Sequence, residues 1–113
     1  MNDTSAENQR RLKRHSLSAS VEVFDVSRGL CLGRLVNIHE EGLMMMGEVS
    51  IDADHVYQFE IQPPDGDPIQ IGVDCLWARQ SEESTMCWSG YQIISISDIA
   101  RQQIQQLISQ LAD

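Results

Sequence analysis

Basic residues are few in this chain: eight lysines and arginines stand against seventeen aspartates and glutamates, a formal net charge of -9 over 113 residues. That balance excludes a protein that coats nucleic acid or an anionic membrane with its whole surface. Aromatic residues are scarce too, two each of Trp, Tyr and Phe, poor material for the stacking platforms of a single-strand nucleic-acid binder. The three cysteines, Cys31, Cys75 and Cys87, are widely spaced and form no CxxC pair. No disulfide framework is readable from them, and a reducing compartment is the simpler home. No apolar run approaches the roughly 20 residues needed to span a bilayer, and the start of the chain lacks the apolar segment of a secretory signal. The expectation is a cytoplasmic protein with no membrane insertion and no nucleic-acid partner.

Catalytic templates are missing as well. The chain contains no GxSxG, P-loop, GxGxxG or HExxH. His15, His39 and His55 are too far apart in sequence for a local metal site, and His39-Glu40-Glu41 fits a solvated turn better than a set of ligands. Neither Cys87 nor His55 has flanking residues that would make a nucleophile pair. The expectation is a binding protein and not an enzyme, with no cofactor and no metal.

What is present is organised in three parts. Residues 1–16 are polar and read as a flexible arm, with Thr4 and Glu7 at capping-box spacing. Residues 17–96 carry period-two alternation and turn signals, which suggest six or so antiparallel strands in a barrel or sandwich. Tyr57, Phe59 and Ile61 share one face of a strand, and Ile69, Ile71, Val73, Cys75 and Trp77 share one face of the next. Residues 97–113 read as an amphipathic helix: Ser97 can cap it, and Ala100, Ile104, Leu107, Ile108 and Leu111 form its apolar stripe. That stripe either covers an open barrel end or pairs with a second copy, and covering suits so small a domain better.

Two clusters stand out from this frame. Arg10, Arg11, Lys13 and Arg14 place half of all the basic residues in one five-residue window. The guanidinium fork donates paired hydrogen bonds to phosphate or to the O6/N7 edge of guanine, so a local site for a phosphate ester is the natural reading. The second cluster is Asn37-Ile38-His39-Glu40-Glu41-Gly42, running from a strand end into a turn. Asn suits a base edge, His offers a ring and a nitrogen, and Gly42 would allow positive φ where the chain reverses. Taken alone, the first could be a basic tail and the second an ordinary β-turn.

In this order, an RxxxR before the first strand and an NxHxxG two strands later, the clusters resemble the signature of the PilZ domain family, RxxxR followed by D/N-x-S-x-x-G. The resemblance covers roughly residues 9–112 and includes Leu43-Met44, Cys75-Leu76-Trp77, Gly90-Tyr91 and the final helix. It implies a six-stranded antiparallel β-barrel with a C-terminal helix that acts as a receptor for cyclic di-GMP. On this chain, Arg10 and Arg14 would contact guanine and phosphate, with Arg11 as an additional phosphate contact. Asn37 and Gly42 would line the barrel surface that receives the other guanine. His39 stands where the family has serine, a bulkier group that can still stack or donate a hydrogen bond. The arm would fold over the ligand and signal to a downstream protein partner, from a monomer or a homodimer. The alternative is a PilZ-like protein-interaction module that binds no nucleotide and works through Glu40, Glu41, Glu48 and the Met44-Met45-Met46 run.

Overall fold

Alternating apolar residues define the strands, and their pairing closes them into a ring. The computed structural model describes residues 20–112, so the cluster holding Arg10, Arg11 and Arg14 lies outside the described residues. Six strands, β1 (Glu22–Asp25), β2 (Leu30–Ile38), β3 (Gly42–Gly47), β4 (Val56–Gln62), β5 (Ile69–Gln80) and β6 (Cys87–Ser95), precede one helix, α1 (Asp98–Ala112). They form a closed barrel in the order β1-β2-β3-β6-β5-β4, with every neighbouring pair antiparallel. Closure leaves no strand edge unpaired.

The interior is filled by side chains. Phe59, Ile61, Ile69, Ile71, Val73 and Cys75 point inward from β4 and β5, as their alternation predicts. Phe59 packs edge-on against Tyr91 with ring centroids 4.8 Å apart, and Tyr57 meets Tyr91 edge-on at 6.3 Å. The alternation fails at Trp77. A bulge between Cys75 and Trp77 sets Cys75 opposite Tyr91 and Trp77 opposite Gly90, so Leu76 is the extra residue. Beyond it the faces exchange: Trp77 turns outward with 40% of its surface exposed, and Ala78 packs against the core. The reading that put Trp77 on the inner face is therefore corrected, because a bulged strand loses its period of two.

Strand β2 departs further from simple alternation. Its inward residues are Leu32, Leu35 and Ile38, spaced by three. Two register shifts account for this, one opposite Val23/Phe24 and one between Leu35 and Asn37. Each supplies one extra residue on β2.

Helix α1 covers one end of the barrel. Ser97 caps it, its Oγ accepting the Ala100 N–H at 3.0 Å while its carbonyl accepts the Arg101 N–H at 2.9 Å. Asp98 lies in the first turn, where the helix dipole favours negative charge. Ala100, Ile104 and Leu107 are buried in the same core as the strands. Gln103 reaches the Asp67 and Pro68 carbonyls of the β4–β5 loop at 3.4 Å, and Gln105 reaches Glu40 of the β2–β3 turn at 3.4 Å. Within the described chain the apolar stripe is used for covering. No helix among the described residues is long and apolar enough to cross a membrane.

Since barrel and helix share one core, they should unfold together. Ser97→Ala removes a cap and is expected to cost about 1 kcal/mol. Ile104→Ala leaves a cavity and is expected to cost about 2–5 kcal/mol. Urea denaturation followed by both far-ultraviolet dichroism and tryptophan fluorescence should give a single coincident transition for each variant, displaced in that order.

Candidate functional site

The segment Asn37–Gly42 occupies the β2–β3 hairpin, at the barrel end that α1 covers. The His39 N–H donates to the Gly42 carbonyl at 2.8 Å, closing a tight connection through Glu40 and Glu41. The Ile93 N–H of β6 donates to the Glu41 carbonyl at 2.9 Å and holds the turn from the side. His39, Glu40 and Glu41 are all exposed.

Asn37 faces outward because of the bulge at Val36. Leu35 pairs with Met45 and Asn37 with Met44, leaving Val36 unmatched. In an unbroken strand Asn37 would share the buried face with Leu35; the extra residue turns it to the surface and returns Ile38 to the core. A polar side chain aimed at solvent from a rigid strand is suited to meeting a ligand.

Gly42 has a different role from the one expected. It does not have positive φ; the left-handed non-glycine residue among those described is Asp54. A Cβ at Gly42 would lie 2.7 Å from the Tyr91 carbonyl oxygen. The glycine is required by the close approach of β3 to β6, and the chain reversal itself is made without left-handed backbone.

Register pairing extends this corner into a panel on the barrel's outer surface. Asn37 pairs with Met44, Met44 with Gly90 and Gly90 with Trp77, a row across β2, β3, β6 and β5. Trp77 lies over the glycine: a Cβ at Gly90 would stand 2.2 Å from the indole nitrogen. The next outward row is Arg34, Met46, Trp88 and Arg79. The rows span three inter-strand spacings, about 14 Å. Met44, Met46 and Trp88 are half-buried and form an apolar floor, with Asn37, Arg34, Arg79 and Trp77 at the corners. The second row continues onto β1, where the exposed Glu22 is the register partner of Arg34, and Glu60 and Asp74 stand on other outward positions.

Three contributors to this panel were not identified from sequence. Arg34 and Arg79 have no motif around them, and simple alternation puts Trp77 on the wrong face. Only the ladder register brings them beside Asn37. The Met run divides as a strand should, Met45 inward and buried, Met44 and Met46 outward. By contrast Arg28 is committed elsewhere: its Nε donates to Asp25 Oδ2 at 2.7 Å, and that hydrogen bond raises its pKa above the ordinary value.

Directly beneath the panel lie buried groups held neutral by their surroundings. The Tyr91 hydroxyl donates to Ser89 Oγ at 2.9 Å inside the barrel, and burial pushes its pKa well above the usual value for tyrosine. Burial also raises the Cys75 thiol, which donates to the Trp77 carbonyl at 3.3 Å. Neither buried group is poised as a nucleophile or base. Among the described residues no group of three or more His, Cys, Asp or Glu is placed to hold a metal ion.

A barrel closed in this strand order, a terminal helix across one end and an Asn-bearing hairpin define a small closed β-barrel module. Comparison with known families places it further: the model for the PilZ domain matches residues 8–110, and the chain belongs to that family. Two solved structures share the fold. The PilZ domain of YcgR from Escherichia coli, solved with c-di-GMP, superposes with a TM-score of 0.64 at 11% identity, covering 81% of this chain and 80% of that one. The Bacillus subtilis inhibitor of motility, MotI/DgrA, superposes with a TM-score of 0.64 at 15% identity over 80% of this chain. The chain spans 46% of the length of that inhibitor. No curated protein sequence matches the chain.

Two outcomes follow from this geometry. Gly90→Ala should destabilise the barrel by displacing the Trp77 indole, and the cost should shrink in a Trp77→Ala background; a double-mutant cycle on thermal unfolding should give a coupling of about 0.5–3 kcal/mol. Tyr91 makes stability fall in alkali. Its folded pKa lies above the value of about 10 expected in the unfolded chain, so its contribution is complete below pH 10 and is lost as the pH rises beyond. Above pH 10 the wild type should lose up to about 1.4 kcal/mol per pH unit from this residue, a slope that Tyr91→Phe removes in urea titrations at pH 9 to 11.

Proposed function

We propose that this protein is a cyclic di-GMP receptor that closes its Arg-bearing segment over a nucleotide resting on the Asn37–Trp77 panel and presents the closed form to a partner protein. The observation that carries the reading is the outward Asn37 on a panel that also bears Trp77, Arg34 and Arg79. Asn37 offers both a donor and an acceptor to a guanine edge. Trp77 and Trp88 give the face the aromatic surface that a flat base can contact. Membership of the PilZ family and the fold shared with a c-di-GMP-bound relative support the same ligand.

Arg10, Arg11 and Arg14 complete the site in this reading. Arg14 is seven residues before Val21, whose carbonyl accepts the Leu35 N–H at 2.8 Å next to the panel. A segment of that length reaches at most about 25 Å, enough to bring its guanidinium to any corner. Each charge-assisted hydrogen bond contributes about 1.5–3 kcal/mol, while ordering backbone costs about 1–2 kcal/mol per residue. Several phosphate and guanine contacts therefore outweigh the ordering of a few residues, and micromolar affinity is reachable. The role is recognition and relay, carried out in the cytoplasm without catalysis.

Calorimetric titration with cyclic di-GMP tests this. The wild type should bind with measurable heat, and Asn37→Ala and Arg14→Ala should each lose at least tenfold in affinity without a change in melting temperature. A wild type that takes up no nucleotide would leave the interaction module, reading a protein partner directly through the turn glutamates, as the remaining function.

A further inference from the structure

The bulge at Val36 has a second effect on β2. It sets Arg34 and Asn37, three residues apart, on the same outward face, where an unbroken strand would place them on opposite faces. Arg79 stands two positions beyond Trp77 on β5, past the second bulge, and also points outward. Both arginines are exposed, and the one ion pair among the described residues engages Arg28, not these two. Across Met46 and Trp88 they mark opposite ends of one row, parallel to the row that runs from Asn37 to Trp77.

We infer that Arg34 and Arg79 are anion-holding residues of the nucleotide site, fixed on the barrel and gripping the phosphodiesters. The inference rests on the nucleotide-receptor reading and adds two ligand contacts to it. Three facts lead to it: half of the arginines among the described residues lie in this panel, they flank an apolar floor, and neither forms an ion pair with a described acid, Arg34 included, although Glu22 is its register partner. Cations placed on strands need no ordering when ligand arrives, so their contacts are gained at lower entropic cost than those of a segment that must close. The guanidinium fork matches a phosphodiester's two free oxygens. A panel about 14 Å across separates the two positive charges enough to serve two phosphates of one ligand, one at each end.

The test is calorimetric titration of cyclic di-GMP into wild type, Arg34→Gln, Arg79→Gln and Arg34→Lys, at low and at physiological ionic strength. Each glutamine variant should bind about tenfold more weakly than wild type with a melting temperature within a degree of it. The dependence of affinity on salt should flatten in both, since one screened attraction has been removed. Arg34→Lys keeps the charge and loses the fork, so its affinity should lie between wild type and Arg34→Gln with the wild-type salt dependence. Wild-type affinity and salt dependence in both glutamine variants, with Asn37→Ala still weakened, would overturn this inference and leave the receptor reading standing. No binding by the wild type itself would overturn both.

Discussion

Closing six strands into a barrel narrow enough to be filled by side chains dictates which residues can reach the surface. The ring leaves no free edge, so strain in matching strand lengths has to be taken up inside the ladders, and it is taken up by bulges. Here they fall in β2, β5 and β6, at Leu32, Val36, Leu76 and Ile94. Each one exchanges the inner and outer faces beyond it. The outward aim of Asn37, the exposure of Trp77 and the shared face of Arg34 and Asn37 are all consequences of where the extra residues sit. The outer surface is thus a product of barrel closure and of the side chains together.

This explains which features were legible in the amino-acid sequence. Strand β4 and the first half of β5 keep a strict period of two, so Phe59, Ile61, Ile69, Ile71, Val73 and Cys75 were assignable to the core by inspection. The helix was equally clear, because Ser97 and the Ala100-Ile104-Leu107 spacing are local signals. Strand β2 was visible as a strand, but its inward spacing of three resembles neither strand nor helix, and the bulges behind it depend on partners far along the chain. Trp77 was misplaced for the same reason. Gly42 was recognised as necessary on the wrong ground: its constraint comes from the Tyr91 backbone, 49 positions away. The Asn37-x-His39-x-x-Gly42 motif was found by resemblance, since nothing in its local chemistry separates it from an ordinary hairpin. The panel beside it has no local sequence signal, because its members meet only through long-range register.

Charge distribution gives the panel its meaning. The whole chain carries a formal net charge of -9, so a dianionic ligand approaching most of its surface is repelled. In the proposed receptor the exposed Arg34 and Arg79 would offset part of this repulsion, an attraction that weakens with salt because exposed charges beyond about 8–10 Å are screened. The same acidity works against non-specific capture of nucleic acid, whose affinity depends on many phosphate contacts at once. In the proposed receptor, confining positive charge to a patch the size of one ligand would favour a small dianion over a polyanion.

The hairpin that carries Asn37 is also where barrel and helix meet. Gln105 of α1 reaches Glu40, and the Ile93 N–H holds the Glu41 carbonyl, so the turn is restrained from two sides. Beneath it Leu43 and Tyr91 are paired, and Tyr91 packs on Phe59 at the centre of the core. A ligand contact at this corner acts against a stiff support. Stiffness has a thermodynamic consequence: fixed groups lose little freedom on binding, so the ordering cost falls almost entirely on whatever segment closes over the ligand. In the proposed receptor, the difference in free energy between free and bound forms would be controlled by the contacts of the Arg-bearing segment, while the barrel sets where they can be made. Such a division would let affinity be tuned by substitutions outside a core on which both strands and helix depend.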